Sequence, residues 1–310
     1  MKSKLHSWPR FFLAAAFLVQ SFVALASVHW LFELFTHYAP YYVLIALGFS
    51  VFHLFKKEWL WTACWTTLLF VNLLPILPYL TTTVPLNSPS LTSYQAPELS
   101  ILTQNVYYKN TDTAEFYARV DELSPTIFVV NEAHAIWGTA QSEVLRDYPS
   151  TAITEKTGVH GIFMGSKVPG TFTEIPLGQQ VGLEFIPEDK SYRVLGVHPE
   201  APVSFSWATG RNEQFEDLIT YANSSELPTI IIGDFNCTPW SPYFKNLISK
   251  SGLTDSRLGF GMVTTWKANS LLFWLPIDHA LVSPNVQVLD FTSYKTEVSD
   301  HKAIEVQVSF

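Results

Sequence analysis

Long apolar stretches dominate the first eighty residues, and they follow one another with few charged positions between them. The stretches run from Phe11 to Phe32, from Ala39 to Phe55 and from Trp59 to Leu80. A helix needs about 17–25 apolar residues to cross the roughly 30 Å hydrocarbon core of a bilayer. A buried helical core is the alternative, but three such stretches in series disfavour it. The pattern therefore predicts a three-span transmembrane anchor over residues 1–80.

The basic residues of this region predict its orientation. They precede the first stretch or separate the second from the third: Lys2, Lys4, Arg10, Lys56 and Lys57. Because Lys and Arg concentrate in cytoplasmic loops, the N-terminus is expected in the cytoplasm and the remainder of the chain outside it. Ala24 to Ala26 also resembles a signal-peptidase site, and cleavage there would leave the same side outside. We expect an integral protein of the cytoplasmic membrane.

The hydrophobic pattern changes after a Thr-, Ser- and Pro-rich segment, residues 81–97, which is typical of a linker. Residues 98–310 alternate short β-like runs with polar helical segments, which predicts a layered α/β domain. Helices are expected over residues 112–123, about 211–223 and 241–250. The predicted strands are Leu99–Val106, Thr126–Val130, Gly161–Met164, Tyr192–Val197, Thr229–Ile232, Ala280–Ser283 and Ala303–Val308.

Polar side chains lie at the ends of these strands. They are Asn105, Glu132, His198, Asp234, Asn236, Asp278, Asp300 and His301. A single Asp or Asn beside a strand is usually a turn residue. The repetition instead favours a site built on the rim of a rigid sheet. Carboxylate and amide oxygens suit Mg²⁺ or Mn²⁺ rather than zinc, and histidines near carboxylates suit acid–base chemistry.

Charge argues against a nonspecific polyanion binder. Residues 1–83 contain five of the 19 Lys and Arg and two of the 27 Asp and Glu, which leaves 14 basic and 25 acidic residues and a formal charge of −11 for the rest. Phosphate backbones are normally gripped by a Lys/Arg surface, so nucleic acid is disfavoured as a partner. The chain has only two cysteines, Cys64 and Cys237, which does not support a disulfide framework.

Five ordered motifs resemble the endonuclease/exonuclease/phosphatase superfamily. The most specific is Ile230 to Pro239, which contains Gly-Asp-Phe-Asn at a strand end. Ser299–His301, Ile277–His279, Gln104–Asn105 and Val130–Glu132 complete the set. The resemblance covers roughly residues 99–310 and implies an α/β fold, a four-layer α/β/β/α sandwich like that of deoxyribonuclease, here preceded by three transmembrane helices.

The resemblance also implies which residues hold the metal. Glu132 would be the main Mg²⁺ ligand, with Mn²⁺ possible, and Asn105 would lie beside it. Asp300 would help to hold the ion or orient His301.

The catalytic roles are carried over in the same way. Asp234 would orient or deprotonate the attacking water, and Asn236 would hydrogen-bond the phosphate. His198 would stabilise developing charge, His301 would contact the scissile phosphate or act in acid–base chemistry, and Asp278 would support a histidine. The family is divided on which residue is the base.

Departures from the family pattern concern substrate preference rather than activity. Thr126 stands where Asp is usual, Asn131 where an apolar residue or Gln is usual, and Gly165–Lys167 where a Ser-Arg pair is common. Thr238–Pro242, Arg211–Asn212 before a predicted helix, and the apolar stretches are similar to the bacterial membrane-bound branch, with its YafD-like and VanJ-type proteins.

Three functions remain open from the sequence. The first is hydrolysis of a lipid-linked or headgroup phosphate, such as a polyprenyl pyrophosphate, at the extracytoplasmic face. The apolar run from Ser270 to Pro276 would rest on acyl chains if it is exposed. The second is an extracytoplasmic nuclease with a basic groove drawn from Lys109, Arg211, Lys245, Arg257 and Lys267. The third is a catalytically silent membrane binding module.

Overall fold

The computed structural model describes residues 8–82, 99–139, 143–156, 158–270 and 273–310. Most of the predicted linker lies outside the described residues, as do Lys2, Lys4, Leu271 and Leu272. Within these ranges the chain after residue 98 forms two six-stranded sheets with helices on their outer faces. The predicted layered α/β architecture is confirmed in this form.

In chain order the strands are β1 Leu99–Asn105, β2 Ile127–Asn131, β3 Ser150–Ile153, β4 Ile162–Ser166, β5 Gly170–Leu177, β6 Gln180–Pro187, β7 Arg193–Val197, β8 Thr229–Asp234, β9 Thr254–Asp255, β10 Asp278–Val282, β11 Gln287–Tyr294 and β12 Ala303–Ser309. The first sheet has the strand order β11-β12-β1-β2-β4-β3, and the second has the order β5-β6-β7-β8-β10-β9. β1 pairs with β2 and β7 pairs with β8 in parallel, whereas the other pairs are antiparallel.

The central strands are buried on both faces, which explains their continuous apolar runs. Ile230 and Ile232 point into the core between the sheets, and Ile231 points into a second core under the outer helices. Successive side chains of a strand face opposite ways, so a strand covered on both sides must be apolar throughout. In β2 the pattern repeats, with Val129 facing the other sheet and Phe128 facing outward.

In the described part of the chain, four α-helices cover the sheets. α5 (Ala114–Leu123) and α6 (Ala135–Thr139) pack on the first sheet. α7 (Phe205–Ala222) and α8 (Pro242–Ser251) pack on the second. The sequence placed the start of α7 too late: its N-cap is Ser204, whose hydroxyl accepts from the Trp207 N–H. Arg211 therefore lies inside the helix rather than before it.

In the N-terminal apolar region the second predicted span is a continuous helix with the predicted bounds, whereas the first and the third are shortened or broken. The helices are α1 Trp8–Ala24, α2 Trp30–Thr36, α3 Ala39–Phe55 and α4 Trp59–Leu73. The first predicted span is broken between α1 and α2, and the third ends at Leu73 and continues into a 3₁₀ turn, Leu77–Tyr79. Among the described helices none is by itself both long and apolar enough to cross a bilayer, whereas α2 and α3 together meet that test across a 56° bend.

These helices pack against the two-sheet sandwich. Ala39 and Ile76 form a buried cluster with Trp240, which follows β8. The Tyr41 ring stacks on Trp274 at a centroid distance of 6.2 Å, and its hydroxyl accepts from the Trp274 N–H at 2.6 Å. The α2–α3 bend and the end of α4 therefore lie on the sandwich, and the α3–α4 connection with Lys56 and Lys57 lies at the other end of those helices.

Candidate active site

The carboxyl ends of both parallel strand pairs meet at one edge of the sandwich. Asn105 at the end of β1 lies beside Asn131 at the end of β2. Asp234 at the end of β8 is paired with Asp278 at the start of β10. Because the two sheets are stacked, polar residues from four strands converge there.

Glu132 follows β2 directly, in the left-handed region with φ of 62°. Asn105 Nδ2 donates to Glu132 Oε1 at 2.9 Å and to Asp234 Oδ2 at 3.0 Å. The Tyr108 N–H donates to the other Glu132 oxygen at 2.6 Å. A non-glycine residue in this conformation is strained and persists only where its surroundings hold it, which is common at functional sites. Asn105 thus links the two predicted carboxylates across the sheets.

Asp234 lies between two histidines. Its Oδ2 is 3.5 Å from His198 Nε2 and 3.6 Å from His301 Nε2. Burial acts to raise the pKa of Asp234, but His301 and His198 outweigh it and lower the pKa to about 2. The carboxylate is therefore charged at neutral pH and can accept a proton from water only transiently.

His301 is oriented by Asp278. Its Nδ1 lies 2.9 Å from Asp278 Oδ2, and Asp278 in turn is fixed by its own N–H, which donates to the Thr265 hydroxyl at 3.2 Å. Burial acts to lower the pKa of His301, yet Asp278 and Asp234 raise it to about 10. The ring is held with Nε2 toward Asp234, which is the arrangement of an acid–base histidine supported by a carboxylate.

Asn236 also has a left-handed backbone, with φ of 50°. Its N–H donates to Asp234 Oδ1 at 2.8 Å. Its Nδ2 donates to the Pro199 carbonyl at 3.0 Å and lies 3.2 Å from His198 Nε2. The turn after β8 therefore presents the Asn236 amide beside the two groups that flank Asp234.

Asp300 occupies a different position from the other predicted residues. Trp266 Nε1 donates to its Oδ2 at 3.0 Å. In the described parts of the chain no hydrogen bond joins Asp300 to Glu132, whereas the remaining predicted residues form one connected network. Asp300 is connected to this network by the backbone, because it directly precedes His301 in the sequence.

Sequence reasoning missed Asn131 as part of the site. Its Nδ2 donates to the Val197 carbonyl at 2.9 Å, and its Oδ1 accepts from the Asp234 N–H at 3.0 Å. It is fully buried between the sheets. The signal that could have identified it is its position, since Asn131 is a polar residue at the end of an otherwise apolar strand. Trp266 and Thr265 carried no local signal of this kind.

The residues present fit a hard divalent cation. Glu132 and Asp300 offer carboxylate oxygens, which are ligands that Mg²⁺ and Mn²⁺ accept. The Asn105 oxygen accepts from the Tyr107 N–H at 2.9 Å, and the Asn105 amide nitrogen faces Glu132. The structure adds a second group, since one ligand atom each from Asp234, Asp278 and His301 lies within 4.8 Å of the others. In this second group His301 Nδ1 is already hydrogen-bonded to Asp278, which favours Glu132 as the main ligand of an ion.

Comparison with known proteins gives the family. A model of the Endonuclease/Exonuclease/phosphatase family matches residues 102–301. A search of curated proteins found no match.

Solved structures show the same fold at low identity. The 3' phosphatase NExo from Neisseria, bound to a product DNA hairpin, is 18% identical, with a TM-score of 0.56 over 68% of this chain and 100% of its own. The mannosyl-6-phosphatase of Bacteroides thetaiotaomicron is 17% identical, with a TM-score of 0.50 over 68% of this chain and 100% of its own. The human Nocturnin catalytic domain, with bound sulfate, is 16% identical, with a TM-score of 0.54 over 68% and 94%.

These matches do not distinguish the membrane-bound branch from other members, so that placement stays a prediction. The family match spans most of the sandwich and includes the strand-end network from Asn105 to His301. The chain belongs to the endonuclease/exonuclease/phosphatase family.

Proposed function

We propose that the protein is a membrane-anchored, divalent-metal-dependent phosphoester hydrolase. Its substrate is a lipid-linked or headgroup phosphate, and the catalytic domain, residues 98–310, works on the extracytoplasmic face of the bacterial inner membrane. The anchor comprises residues 1–80 and the linker residues 81–97.

A cavity of about 310 Å³ at the junction of the apolar helices and the sandwich carries this proposal. Pro40 of α3 lines one side, and Trp266, which holds Asp300, lines another. Lys267 and Lys302 also line it, and in the described residues no carboxylate forms an ion pair with either lysine. A cavity between an apolar helix and two cations, with Trp266 connecting its wall to Asp300, suits an amphiphile with an anionic head.

The rim of this cavity is apolar and partly exposed. Phe273 and Trp274 are 42% and 45% exposed, and the Trp274 ring is fixed on Tyr41. Exposed aromatic rings beside apolar helices are typical of a surface that rests at a membrane interface. This supports contact between the substrate's acyl chains and the rim, although Leu271 and Leu272 lie outside the described residues.

The metal would be held by Glu132, with Asp300 contributing a carboxylate oxygen and Asn105 lying beside Glu132. When bound, Mg²⁺ or Mn²⁺ supplies charge neutralisation of the phosphate and polarisation of its oxygens. Asn105 restrains the Glu132 carboxylate through its 2.9 Å hydrogen bond, so the ligand is preorganised.

The remaining residues would carry out the displacement. Asp234 would orient a water molecule and take its proton as the water oxygen attacks phosphorus and the bond to the leaving oxygen breaks. Asp234 would then return that proton to His301, whose Nε2 is 3.6 Å away. Asn236 and His198 lie where they can donate to phosphate oxygens. His301, held by Asp278, would donate a proton to the leaving oxygen. Donors fixed where charge develops stabilise the transition state.

The helix arrangement supports the proposed orientation. The ends of α2, α3 and α4 that pack on the sandwich carry no Lys or Arg, whereas Lys56 and Lys57 lie at the opposite end of α3. Positive residues away from the catalytic domain agree with a cytoplasmic location for those residues.

Two of the five basic residues expected to line a nuclease groove are buried. Arg211 and Arg257 are both fully buried, and each is paired with a carboxylate inside the fold. They are therefore not available to phosphates of a nucleic acid. Of the residues expected to bind nucleic acid, only Lys109, Lys245 and Lys267 then remain. Nucleic acid stays the disfavoured partner.

The test uses the full-length chain in lipid nanodiscs with Mg²⁺ or Mn²⁺. It would be offered a polyprenyl diphosphate, a phospholipid panel and plasmid DNA in parallel, with a Glu132→Gln variant as the inactive control. We expect metal-dependent phosphate or headgroup release from a lipid and no release by the variant.

Two outcomes would contradict the proposal. Metal-dependent DNA cleavage with inert lipids would establish the nuclease alternative. Equal behaviour of the wild type and Glu132→Gln on every substrate, with both folded, would favour the silent binding module.

A further inference from the structure

A buried ion pair joins the N-terminal apolar region to the catalytic sandwich. Glu33 of α2 and Arg211 of α7 are both 0% exposed, and Arg211 Nη2 lies 2.5 Å from Glu33 Oε2. Burying two charges costs several kcal/mol per ion before their attraction is counted, so such a pair is weak evidence for stability alone. A buried pair between two parts of a fold can instead fix how those parts fit together.

The other Glu33 oxygen contacts the segment that follows Asn236. Ser241 Oγ donates to Glu33 Oε1 at 2.7 Å, and Cys237 Sγ lies 3.6 Å from the same oxygen. In the turn after α2, His37 Nδ1 lies 2.8 Å from Thr238 Oγ1. Side chains from α2 and this turn thus contact three of the five residues in segment 237–241.

Segment 237–241 begins immediately after Asn236, whose backbone lies in the left-handed region with φ of 50°. In this conformation the Asn236 amide lies against His198 and the Pro199 carbonyl. The turn that carries Asn236 is fixed on one side by Asp234 Oδ1, which accepts from the Asn236 N–H. On the other side it is continuous with the segment that Glu33 contacts.

We propose that Glu33 is a positioning residue for the reaction: it fixes segment 237–241 and, through it, the Asn236 amide. The N-terminal region is then part of the active site's support as well as an anchor. This inference rests on the proposed hydrolase activity but not on the identity of the substrate.

Cys237 gives a readout that does not depend on activity. Burial raises the pKa of its thiol to about 12, and Glu33 adds to this rise while Arg211 opposes it. The buried, protonated thiol is expected to react slowly with iodoacetamide. Loss of the Glu33 charge lowers the pKa of the thiol, and loosening of segment 237–241 uncovers it, so both changes raise the alkylation rate. Thr238→Val keeps the Glu33 charge and therefore reports the loosening alone.

The experiment uses full-length protein in nanodiscs in a Cys64→Ser background, so that Cys237 is the only thiol. The variants are Glu33→Gln and the milder Thr238→Val, which leaves the ion pair intact. Glu213→Gln, an exposed change on α7, is the matched control. Hydrolysis of p-nitrophenyl phosphate and of bis(p-nitrophenyl) phosphate gives kcat and KM.

We expect Glu33→Gln to lower kcat by up to about a hundredfold with little change in KM, since misplacing a group by 1 Å has effects of that order. Alkylation of Cys237 should become faster in the same variant. Thr238→Val should shift both quantities less and in the same directions, and Glu213→Gln should match the wild type.

Faster alkylation with an unchanged kcat would overturn the inference, because the contact would then be structural only. A lower kcat with unchanged alkylation would also overturn it, because segment 237–241 would not have moved. A wild type inactive on both esters and on the lipids would contradict the proposed function instead. The alkylation rates would still show whether Glu33 holds the segment.

Discussion

Asn131 of the first sheet accepts a hydrogen bond from the backbone N–H of Asp234 in the second, at 3.0 Å. The same amide donates to the Val197 carbonyl, so one side chain joins the ends of β2, β7 and β8. This contact sets the spacing between Glu132, the next residue in the chain, and Asp234. A side chain that departs from the family pattern therefore controls the distance between the predicted metal ligand and the predicted water-orienting residue.

Replacing Asn131 with Ala is expected to lower both stability and activity. The Asp234 N–H and the Val197 carbonyl would remain buried without partners, at a cost of about 1–3 kcal/mol each. Urea unfolding of the full-length chain measures this loss. The exposed change Asn285→Ala is the comparison, and equal midpoints for the two variants would contradict the prediction.

Gly233 precedes Asp234 and is expected to tolerate no side chain. Its φ is 149°, and a Cβ atom there would lie 2.0 Å from the Val197 carbonyl oxygen and 3.0 Å from Asn131 Oδ1. Because the first neighbour is backbone, the strands themselves would have to separate. Gly233→Ala should therefore unfold at a clearly lower temperature than wild type, whereas Gly252→Ala, with open space around its Cβ, should show only the smaller cost of its left-handed backbone. Circular dichroism melts of the two variants decide this.

The sequence predicted the part of the site that lies along continuous buried strands. The run from Ile230 to Ile232 is apolar on both faces, so its end at Asp234 was visible in the pattern alone. The β5–β6 hairpin was missed, because its strands are only half-buried and mix polar with apolar positions. The Glu33–Arg211 pair joins residues 178 positions apart, and no local periodicity records such a contact.

Metal affinity should distinguish the two groups of donors. If the ion is held by Glu132 and Asp300, with Asn105 beside Glu132, then Glu132→Gln and Asp300→Asn should weaken Mn²⁺ binding by at least about 10- to 100-fold, the range seen even for outer-shell partners. Asp278→Asn should weaken it much less, since Asp278 contacts His301. Isothermal titration of the metal-free full-length chain gives the three affinities. A larger loss in Asp278→Asn would place the ion at Asp234, Asp278 and His301 instead.

The junction cavity should select for an anionic amphiphile. Lys302 is half-buried there, with Nζ 3.5 Å from the Thr264 hydroxyl, and Lys267 lines the same space. A hydrogen bond to a charged group is worth about 1.5–3 kcal/mol, so losing one lowers kcat/KM by roughly tenfold or more. Lys302→Met and Lys267→Met should reduce turnover of a polyprenyl diphosphate and leave p-nitrophenyl phosphate hydrolysis unchanged. The control is Lys250→Met, whose lysine pairs with Glu216 outside the cavity. Parallel losses on both substrates would show that the lysines do not recognise the amphiphile.

The substitution Arg211→Met should have opposite effects on stability in two forms of the chain. In the full-length protein it leaves the Glu33 carboxylate buried without its partner, and breaking such a pair costs about 3–5 kcal/mol. In a chain shortened to residues 84–310 Glu33 is gone, and Arg211 itself is left without its buried partner. In the shortened chain the same substitution replaces a cation that has lost its partner by an apolar side chain of similar length, and it should raise the melting temperature.

Thermal melts of the four proteins in one detergent give the comparison. The control is Arg119→Met, which removes a surface ion pair with Glu122. A melting temperature that falls equally in both forms would mean that Arg211 is held by contacts within the sandwich, such as its position over the Phe215 and Tyr243 rings, rather than by Glu33.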